Sequence, residues 1–275
     1  MAGKVAWISI APVKGMRIQE LTEVEVGPDG VPGDREFIVV DDQQTLVNGK
    51  KVGPLMEIVP EYRLDAGELK LTFPDGSVVG SAVETGDPEE ISFFTMPLQA
   101  RPVSGPFSEA ISDHCGARLK LMTRPEGRPG VDRGEYGSVT LLGTASMDRL
   151  AQARVDFGDA DQPEKVDHRR FRMTFGVEGL DAHEEDSWIE TAVGLGAAEV
   201  EVRNHVGRCS VTTRDPEHGD VDMKTLHYIR SYRKDVESFE PIPFGVYASV
   251  KRAGTVRVGD PVVPAGDVRE AAGIS

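Results

Sequence analysis

Turn-forming residues interrupt this sequence so often that long helices are excluded over most of its length. Thirty glycines and 18 prolines lie between short runs rich in Val, Ile, Leu, Thr and Phe, and several runs alternate apolar and polar residues. Residues 73–77 read Phe-Pro-Asp-Gly-Ser and predict a hairpin, because glycine tolerates a positive φ at little steric cost. The pattern predicts a mainly β protein of the α+β class.

Short helices flank the predicted strands. Amphipathic spacing predicts helices over residues 108–115, 144–154 and 222–233. Residues 124–137 hold too few apolar side chains for a core element and predict a domain boundary or a lid. Strands are predicted over residues 5–10, 21–26, 37–40, 55–59, 69–73, 98–103, 119–122, 138–142, 172–177, 199–205, 246–251 and 255–258.

The charge of the chain limits its partners. The 275 residues include 46 acidic and 31 basic side chains, a net charge of −15 that argues against binding to nucleic acid or to an anionic membrane. No apolar run reaches the ~20 residues of a membrane-spanning helix, and the first residues lack the apolar region of an export signal. We therefore expect a cytoplasmic protein without a membrane partner, in which any anion site is a local basic pocket.

The two cysteines have different surroundings in the sequence. Cys209 follows Arg208 and lies near His205, so a positive field favours the thiolate that attacks electrophiles or binds soft metals. The alternative is that Cys209 is a small buried apolar side chain. Cys115 shares a helix face with Ile111, which indicates a structural role. Two cysteines exclude a disulfide framework and a four-cysteine zinc site.

Several cations stand at predicted strand ends, although no glycine-rich nucleotide loop is present. If these cations lie close together in the fold, they would form the one anion pocket that the composition allows. Taken singly, each cation is more often a surface ion-pair partner. The acidic run Glu184–Asp186 predicts a solvated turn or the start of a helix, with Trp188 anchored in the core. The cations are Lys14, Arg35, the cluster 169–172 and Arg208.

These segments occur in an order that resembles a known family. Residues 9–15 read Ser-Ile-Ala-Pro-Val-Lys-Gly, and Gly-Asp-Arg opens a strand at 33–35. Residues 207–216 read Gly-Arg-Cys-Ser-Val-Thr-Thr-Arg-Asp-Pro, and the chain continues with Phe-Gly-Val-Tyr at 244–247. Together they are similar to the MOSC family, the molybdenum-cofactor sulfurase C-terminal domain, in the two-part architecture of the amidoxime-reducing components. The resemblance implies a MOSC N-terminal β-barrel domain over residues 1–120, followed by a MOSC β-barrel domain with a few flanking helices over residues 121–275.

The resemblance also implies a site for the molybdenum cofactor, Mo-molybdopterin. Cys209 would ligate the molybdenum, because a thiolate is a soft donor suited to a metal that changes oxidation state. His205 is the second catalytic candidate, as a proton donor near neutral pH. The implied cofactor-binding residues are Lys14, Gly15, Arg35, Tyr136, Gly137, Ser138, Arg172, Asn204, Gly207, Arg208 and Tyr247. Gly15, Gly207 and the pair Tyr136-Gly137 stand where relatives carry hydroxyl side chains.

The function implied is a reductase that removes oxygen from N-hydroxylated or N-oxide substrates. Only a short tail without cysteines follows the last predicted strand, so we expect a separate electron-donor protein of the flavin, ferredoxin or cytochrome type. One alternative is a cofactor carrier or a sulfur-transfer protein that holds a persulfide on Cys209. A third is a barrel without the cofactor that binds another anion.

Overall fold

The computed structural model describes residues 3–124 and 137–265 as a mainly β structure with three α-helices. The helices are α1 Phe107–Cys115, α2 Thr144–Asp156 and α3 Thr225–Arg233. The strands are β1 Gly3–Ile10, β2 Gln19–Leu21, β3 Glu23–Val26, β4 Phe37–Asp41, β5 Leu46–Val47, β6 Val59–Arg63, β7 Glu68–Thr72, β8 Val78–Ala82, β9 Glu89–Phe93, β10 Met96–Ala100, β11 Leu119–Thr123, β12 Val139–Gly143, β13 Phe175–Glu178, β14 Ala192–Leu195, β15 Ala198–Gly207, β16 Pro243–Arg252, β17 Gly254–Arg257 and β18 Pro261–Pro264.

Seven strands close into a barrel. Their order is β13-β12-β16-β15-β14-β18-β1, and β1 pairs with β13 to complete the circle. Every pairing in the circle is antiparallel except that of β12 with β13. Closure gives each of these seven strands a hydrogen-bonded neighbour on both sides, so none of them is an edge strand.

The barrel interior is filled by side chains. Val5, Phe175, Val200 and Val246 come from four different strands and are fully buried together. The alternating burial along β15 follows from the two-residue period of a strand, in which one face looks inward. A packed core of this kind leaves the outer surface and the ends of the barrel for function.

The remaining strands of residues 37–123 form three small sheets beside the barrel. These are β11-β4-β5, β6-β7-β8 and β9-β10, with α1 packed on β11. The predicted hairpin is confirmed, because β7 and β8 pair through a turn in which Gly76 has a φ of +84°. Phe37, Leu71 and Phe107 lie in the core that these elements share, and Cys115 packs against it as predicted.

Sheet pairing joins the start of the chain to its second half. β1 is hydrogen-bonded to β13 and β18, and β2 extends the sheet from β1. The first strand therefore completes a barrel whose other six strands all follow residue 137. The predicted domain boundary near residue 120 stays a prediction.

Two predicted strands begin in the wrong place. The strand predicted over residues 55–59 begins only at Val59, because residues 55–57 belong to the 3₁₀ turn Gly53–Glu57, in which Pro54 has no N–H to donate at the start and Leu55 and Met56 are both buried. The strand predicted from residue 172 begins at Phe175, since Arg172 adopts a left-handed φ of +54° that ends the 3₁₀ turn His168–Phe171. The predicted helices are confirmed in position, although α3 begins three residues later than expected.

The acidic run Glu184–Asp186 begins the 3₁₀ turn Glu184–Trp188, one of the two forms that the sequence predicts, but the run is not fully solvated. Glu185 is fully buried, and its carboxylate accepts hydrogen bonds from the Ser146 hydroxyl, at 2.8 Å, and from the Gly143 N–H, at 3.2 Å. Burial raises the pKa of the Glu185 carboxyl, and the Ser146 bond opposes that shift. Trp188 is 2% exposed, as predicted. No helix in the described ranges is long and apolar enough to cross a membrane.

Candidate cofactor site

Two arginines from distant parts of the chain meet beside the barrel. The Arg35 guanidinium donates through Nη1 to the Asp34 carboxylate and through Nη2 to the Arg172 carbonyl, at 2.7 Å. Nη2 of the Arg172 side chain is buried and has no hydrogen-bond partner among the residues that the structure describes. Burial, then repulsion from Arg35, lowers the pKa of Arg172 to about 10, and Asp34 opposes that shift. An anion bound here would satisfy the orphaned donor and relieve the repulsion.

A buried aspartate holds the first of these arginines in place. Asp34 is 3% exposed, and its Oδ1 accepts the backbone N–H of Ala11 at 2.7 Å while Oδ2 accepts from Arg35. The Arg35 N–H donates to the Ala11 carbonyl at 2.8 Å. Arg35 and Arg172 both have a left-handed φ, of +53° and +54°, which is uncommon for residues with a Cβ and concentrates at functional sites. The sequence did not single out Asp34.

Lys14 lies on the same segment as Ala11. Its N–H donates to the Phe37 carbonyl at 2.8 Å, and its ammonium stands 5.5 Å from the centroid of the Phe94 ring. The next residue, Gly15, has a φ of +93°, and a Cβ there would lie 3.1 Å from the Asn48 Cα. The backbone therefore favours glycine at position 15.

Cys209 is exposed and begins a short turn. Its carbonyl accepts the N–H of Thr212 at 3.2 Å and the hydroxyl of the same residue at 3.0 Å, at the start of the 3₁₀ turn Ser210–Thr213. Arg170 donates to the Arg214 carbonyl at 2.6 Å, which ties this turn to the turn that ends at Arg172. The exposed thiol and the Arg172 cation thus lie on two turns that are bonded to each other.

The structure gives Arg208 a structural role that differs from the predicted phosphate contact. This residue is 7% exposed, and its guanidinium donates to the carbonyls of Phe244 and Phe171 and lies 5.3 Å from the Phe171 ring centroid. These bonds fasten the end of β15 to the start of β16 and to the 3₁₀ turn before Arg172. Arg208 therefore positions the two turns of the site.

Polar side chains cross the outer face of the barrel toward Arg172. Asn204 on β15 stands opposite Tyr247 on β16, and Tyr247 stands opposite Thr140 on β12. The hydroxyls of Thr140 and Thr174 are 3.2 Å apart, and Thr174 is two residues from Arg172. Both threonines are buried polar residues that the sequence analysis missed, although each is a polar break in an apolar strand.

The segment before β12 contacts the loop that precedes Arg35. Ser138 donates its N–H to the Ala248 carbonyl at 3.0 Å, and a Cβ on Gly30 would overlap the Ser138 carbonyl. This close approach places the loop that leads to Arg35 against the start of β12. Gly137 is buried beside it, and Tyr136 lies outside the described residues.

His205 has different neighbours from those predicted. Its ring is 4% exposed and its Nε2 lies 3.4 Å from Oδ1 of Asp186, which also binds Arg233 at 2.7 Å. Successive strand residues point to opposite faces, so His205 points away from its neighbour Asn204. This placement argues against His205 as a direct proton donor at the site.

Gly207 is required by packing. A Cβ at this position would lie 2.8 Å from the Glu240 Cβ and 3.0 Å from the Pro241 carbonyl oxygen. We expect Gly207→Ser to lower the free energy of unfolding by about 1 to 3 kcal/mol, because backbone atoms would have to move. Gly27→Ala is the matched control, since its nearest neighbour would be 3.6 Å away. Urea unfolding of both variants measures the difference; equal stability of the two would contradict this account.

His183 provides a test of the buried polar cluster around Asp186. Both ring nitrogens of His183 are buried without a hydrogen-bond partner. Burial, then Arg233, lowers the pKa of His183 from 6.5 to about 4, and Asp186 opposes that shift. Between these pH values the unfolded chain binds the extra proton, so the protein loses stability as the pH falls below about 6.5.

The variant for this test is His183→Asn, because asparagine tolerates the φ of +65° at this position. We expect the wild type to lose about 2 kcal/mol more than the variant between pH 7 and pH 4.5, measured by urea unfolding at each pH. Titrations shared by both proteins, such as that of Glu185, cancel in the difference. Parallel pH profiles would contradict the shifted pKa.

The described residues thus form a closed barrel protein in which two bonded turns carry an arginine of the pair and an exposed thiol. Residues 2–119 match the model of the MOSC N-terminal beta barrel domain, and residues 132–263 match the model of the MOSC domain. The chain is 39% identical over 288 residues to mitochondrial amidoxime reducing component 2 of Homo sapiens, covering 94% of this chain and 83% of that protein. The Bos taurus protein of the same name is 24% identical over 290 residues, covering 94% and 82%. The chain belongs to the MOSC family.

The solved structures found by comparison have lower sequence identity to this chain. The YUAD protein from Bacillus subtilis is 11% identical, with a TM-score of 0.44 and 96% of each chain covered. YiiM from Geobacillus stearothermophilus is 15% identical, with a TM-score of 0.31, covering 46% of this chain and 54% of that one.

Proposed function

We propose that the protein is a molybdenum-cofactor reductase of N-hydroxylated compounds. The relatives named amidoxime reducing components support this reaction, and the MOSC domain supports the cofactor. The observation that carries the proposal is the buried, unpartnered Nη2 of Arg172 beside Arg35, because such a pair is stable when an anion such as the cofactor phosphate lies between its members.

The residues present fit this cofactor. Arg172 and Arg35 would hold its phosphate, with Lys14 on the adjacent segment, and the exposed Cys209 thiolate would ligate the metal. The described residues contain no cluster of three His, Cys, Asp or Glu side chains that could hold a metal ion, so the metal would be held by one protein thiolate together with donors of the cofactor itself. When bound, the cofactor supplies two-electron oxygen-atom chemistry.

The chain's own residues would hold the cofactor in position and leave the site open to the substrate. Asp34 fixes the direction of Arg35, and the bond from Arg170 to the Arg214 carbonyl keeps the Cys209 turn against the Arg172 turn. The exposure of Cys209 leaves its outer side open to a small N-hydroxylated substrate. Protons would come from solvent at this open face, since His205 is buried behind β15. Electrons would come from a separate donor protein, and we propose a cytoplasmic location.

A second candidate function uses the same exposed thiol. A carrier of the cofactor, or a sulfur-transfer protein with a persulfide on Cys209, would need the open thiol but no turnover. The anion pocket is common to the reductase and the carrier, whereas a barrel that binds another anion would need no thiol.

Metal analysis of protein made in a host that synthesises the cofactor tests the proposal. We expect about one molybdenum and one pterin per chain, and turnover of an amidoxime with a chemically reduced dye. Cofactor without turnover would favour the carrier. Absence of molybdenum and pterin from folded protein would favour the barrel that binds another anion.

A further inference from the structure

A groove runs along helix α3 beside the Cys209 turn. Its volume is ≈ 570 Å³, within the range of small-molecule sites. Phe157, Leu226 and Ile242 supply its apolar walls, and Ser210 and Thr213 belong to the turn that Cys209 begins. The groove therefore starts at the residue next to the exposed thiol.

The Cys209 turn is bonded both to the segment that carries Arg172 and to helix α3, which lines the groove. Arg170 bonds the turn to the segment that carries Arg172. The Thr225 hydroxyl of α3 donates to the Thr212 carbonyl at 2.8 Å. A molecule in the groove would thus lie against the turn that Cys209 begins.

The charge of the groove is opposite to that of the chain. Its polar lining includes Arg230 and His227, and none of the described residues that line it is Asp or Glu, in a chain of net charge −15. Arg230 is exposed and forms no ion pair within the described part of the structure. A guanidinium at the edge of an apolar groove is suited to a carboxylate on an apolar body.

The neighbouring cavity along α3 provides a contrast. It has a volume of ≈ 560 Å³ and is lined by Asp159 and Asp222 as well as by cations. Asp159 pairs with Lys224 at 3.0 Å, and Asp222 pairs with the Arg170 guanidinium. Its cations are thus offset by carboxylates, and it offers no comparable site for an anion.

We propose that this groove is the substrate cleft and that Arg230 determines specificity, favouring N-hydroxylated compounds with an apolar, aryl-sized body and a carboxylate at the far end. The inference rests on the proposed function, since it names the class of substrate for the same site. The N-hydroxy group would lie toward Cys209 and the carboxylate toward Arg230, with the aryl body between Phe157 and Ile242.

The experiment compares benzamidoxime with its para-carboxylate. For protein loaded with cofactor and supplied with a reduced dye, we expect Arg230→Ala to raise the KM of the carboxylate about tenfold and to leave that of benzamidoxime within about twofold, because a charge-assisted hydrogen bond is lost. Lys234→Ala is the matched control: it removes the same charge from an exposed position near the end of α3 that does not line the groove. Equal KM values for the para-carboxylate in the wild type, Arg230→Ala and Lys234→Ala would overturn the proposal.

A binding measurement separates this inference from the proposed function. Calorimetry with cofactor-free protein and para-carboxybenzamidoxime is expected to give about tenfold weaker binding for Arg230→Ala than for wild type and Lys234→Ala. Binding that depends on Arg230 in a protein without turnover would support the cleft and reject the reductase. Turnover with no dependence on Arg230 would reject the cleft alone. If Arg230→Ala changed only the KM of a protein electron donor, the substrate-cleft proposal would also be overturned. The groove would then be the binding site of that donor.

Discussion

Replacing Cys209 with alanine is expected to abolish N-hydroxy reductase activity while the protein stays folded. The thiol is exposed and its side chain supports no core packing, so its removal should change the free energy of unfolding little. Loss of a partner that merely orients a metal ligand typically costs 10- to 100-fold in affinity or activity, so loss of the ligand itself should cost more than about 100-fold. The measurement is turnover of an amidoxime with a reduced dye, at equal protein concentration.

Cys115→Ala is the control for this experiment. Cys115 ends α1 and packs against the core of the small sheets, so alanine should cost about 1 kcal/mol of stability and leave activity intact. Burial, then Glu57, raises the pKa of the Cys115 thiol to about 11, which keeps it protonated and unreactive near neutral pH. We also expect iodoacetamide to modify Cys209 first. Equal loss of activity in the two folded variants would contradict the assignment of Cys209 as the ligand.

Local sequence patterns predicted the strands, but the barrel required long-range pairing. The alternation at residues 199–205 predicts a strand because one face of it is buried, and the structure has β15 there. That β1 would pair with β13 could not be derived from either segment, because Val5 and its partner Val177 are separated by most of the chain. The pairing register of β1 with β13 depends on the assembled core, so it cannot be predicted from a short segment of sequence.

The site was predicted in part, and the reason lies in which contacts are local. Cys209 and Arg172 were selected as candidates because their motifs are continuous in sequence, and their roles stay predictions. Asp34 was missed because its role depends on a hydrogen bond to the N–H of Ala11, 23 residues away. Glu185 was misread because a run of three acids usually faces water, and only the fold supplies the buried donors that accommodate it.

Reversing the charge of Arg172 should remove the cofactor, whereas the same reversal at Lys224 should not. Arg172→Glu and Lys224→Glu each change the net charge by two units, so a difference between them cannot come from long-range charge, which is screened over ~8 Å at physiological salt. Lys224 is exposed, pairs with Asp159 at 3.0 Å and lies 5.9 Å from the centroid of the Phe157 ring, so its reversal alters surface contacts that do not include Arg172 or Arg35. Pterin and molybdenum per chain are the readouts, after circular dichroism shows both variants to be folded.

Reversing the charge at Arg172 would have two separate effects on the anion pocket. A glutamate there would repel the phosphate and would also pair with the neighbouring Arg35, so both cations of the pocket would be lost to the cofactor at once. We expect the cofactor content of Arg172→Glu to fall by about tenfold or more and that of Lys224→Glu to stay near the wild-type value. Equal content in the two variants would place the anion pocket elsewhere.

The cofactor-free protein should respond to the loss of Arg172 in the opposite direction. Its guanidinium is buried, repelled by Arg35 and left with an unpartnered Nη2, so without an anion it destabilises the fold. We expect Arg172→Met to raise the stability of cofactor-free protein by about 1 kcal/mol, or about 2 to 4 °C in Tm, while it loses the cofactor. A lower Tm for that variant would mean that Arg172 serves the packing of the barrel. A higher Tm for that variant would show that Arg172 destabilises the cofactor-free fold, as expected of a cation that is positioned to bind an anion.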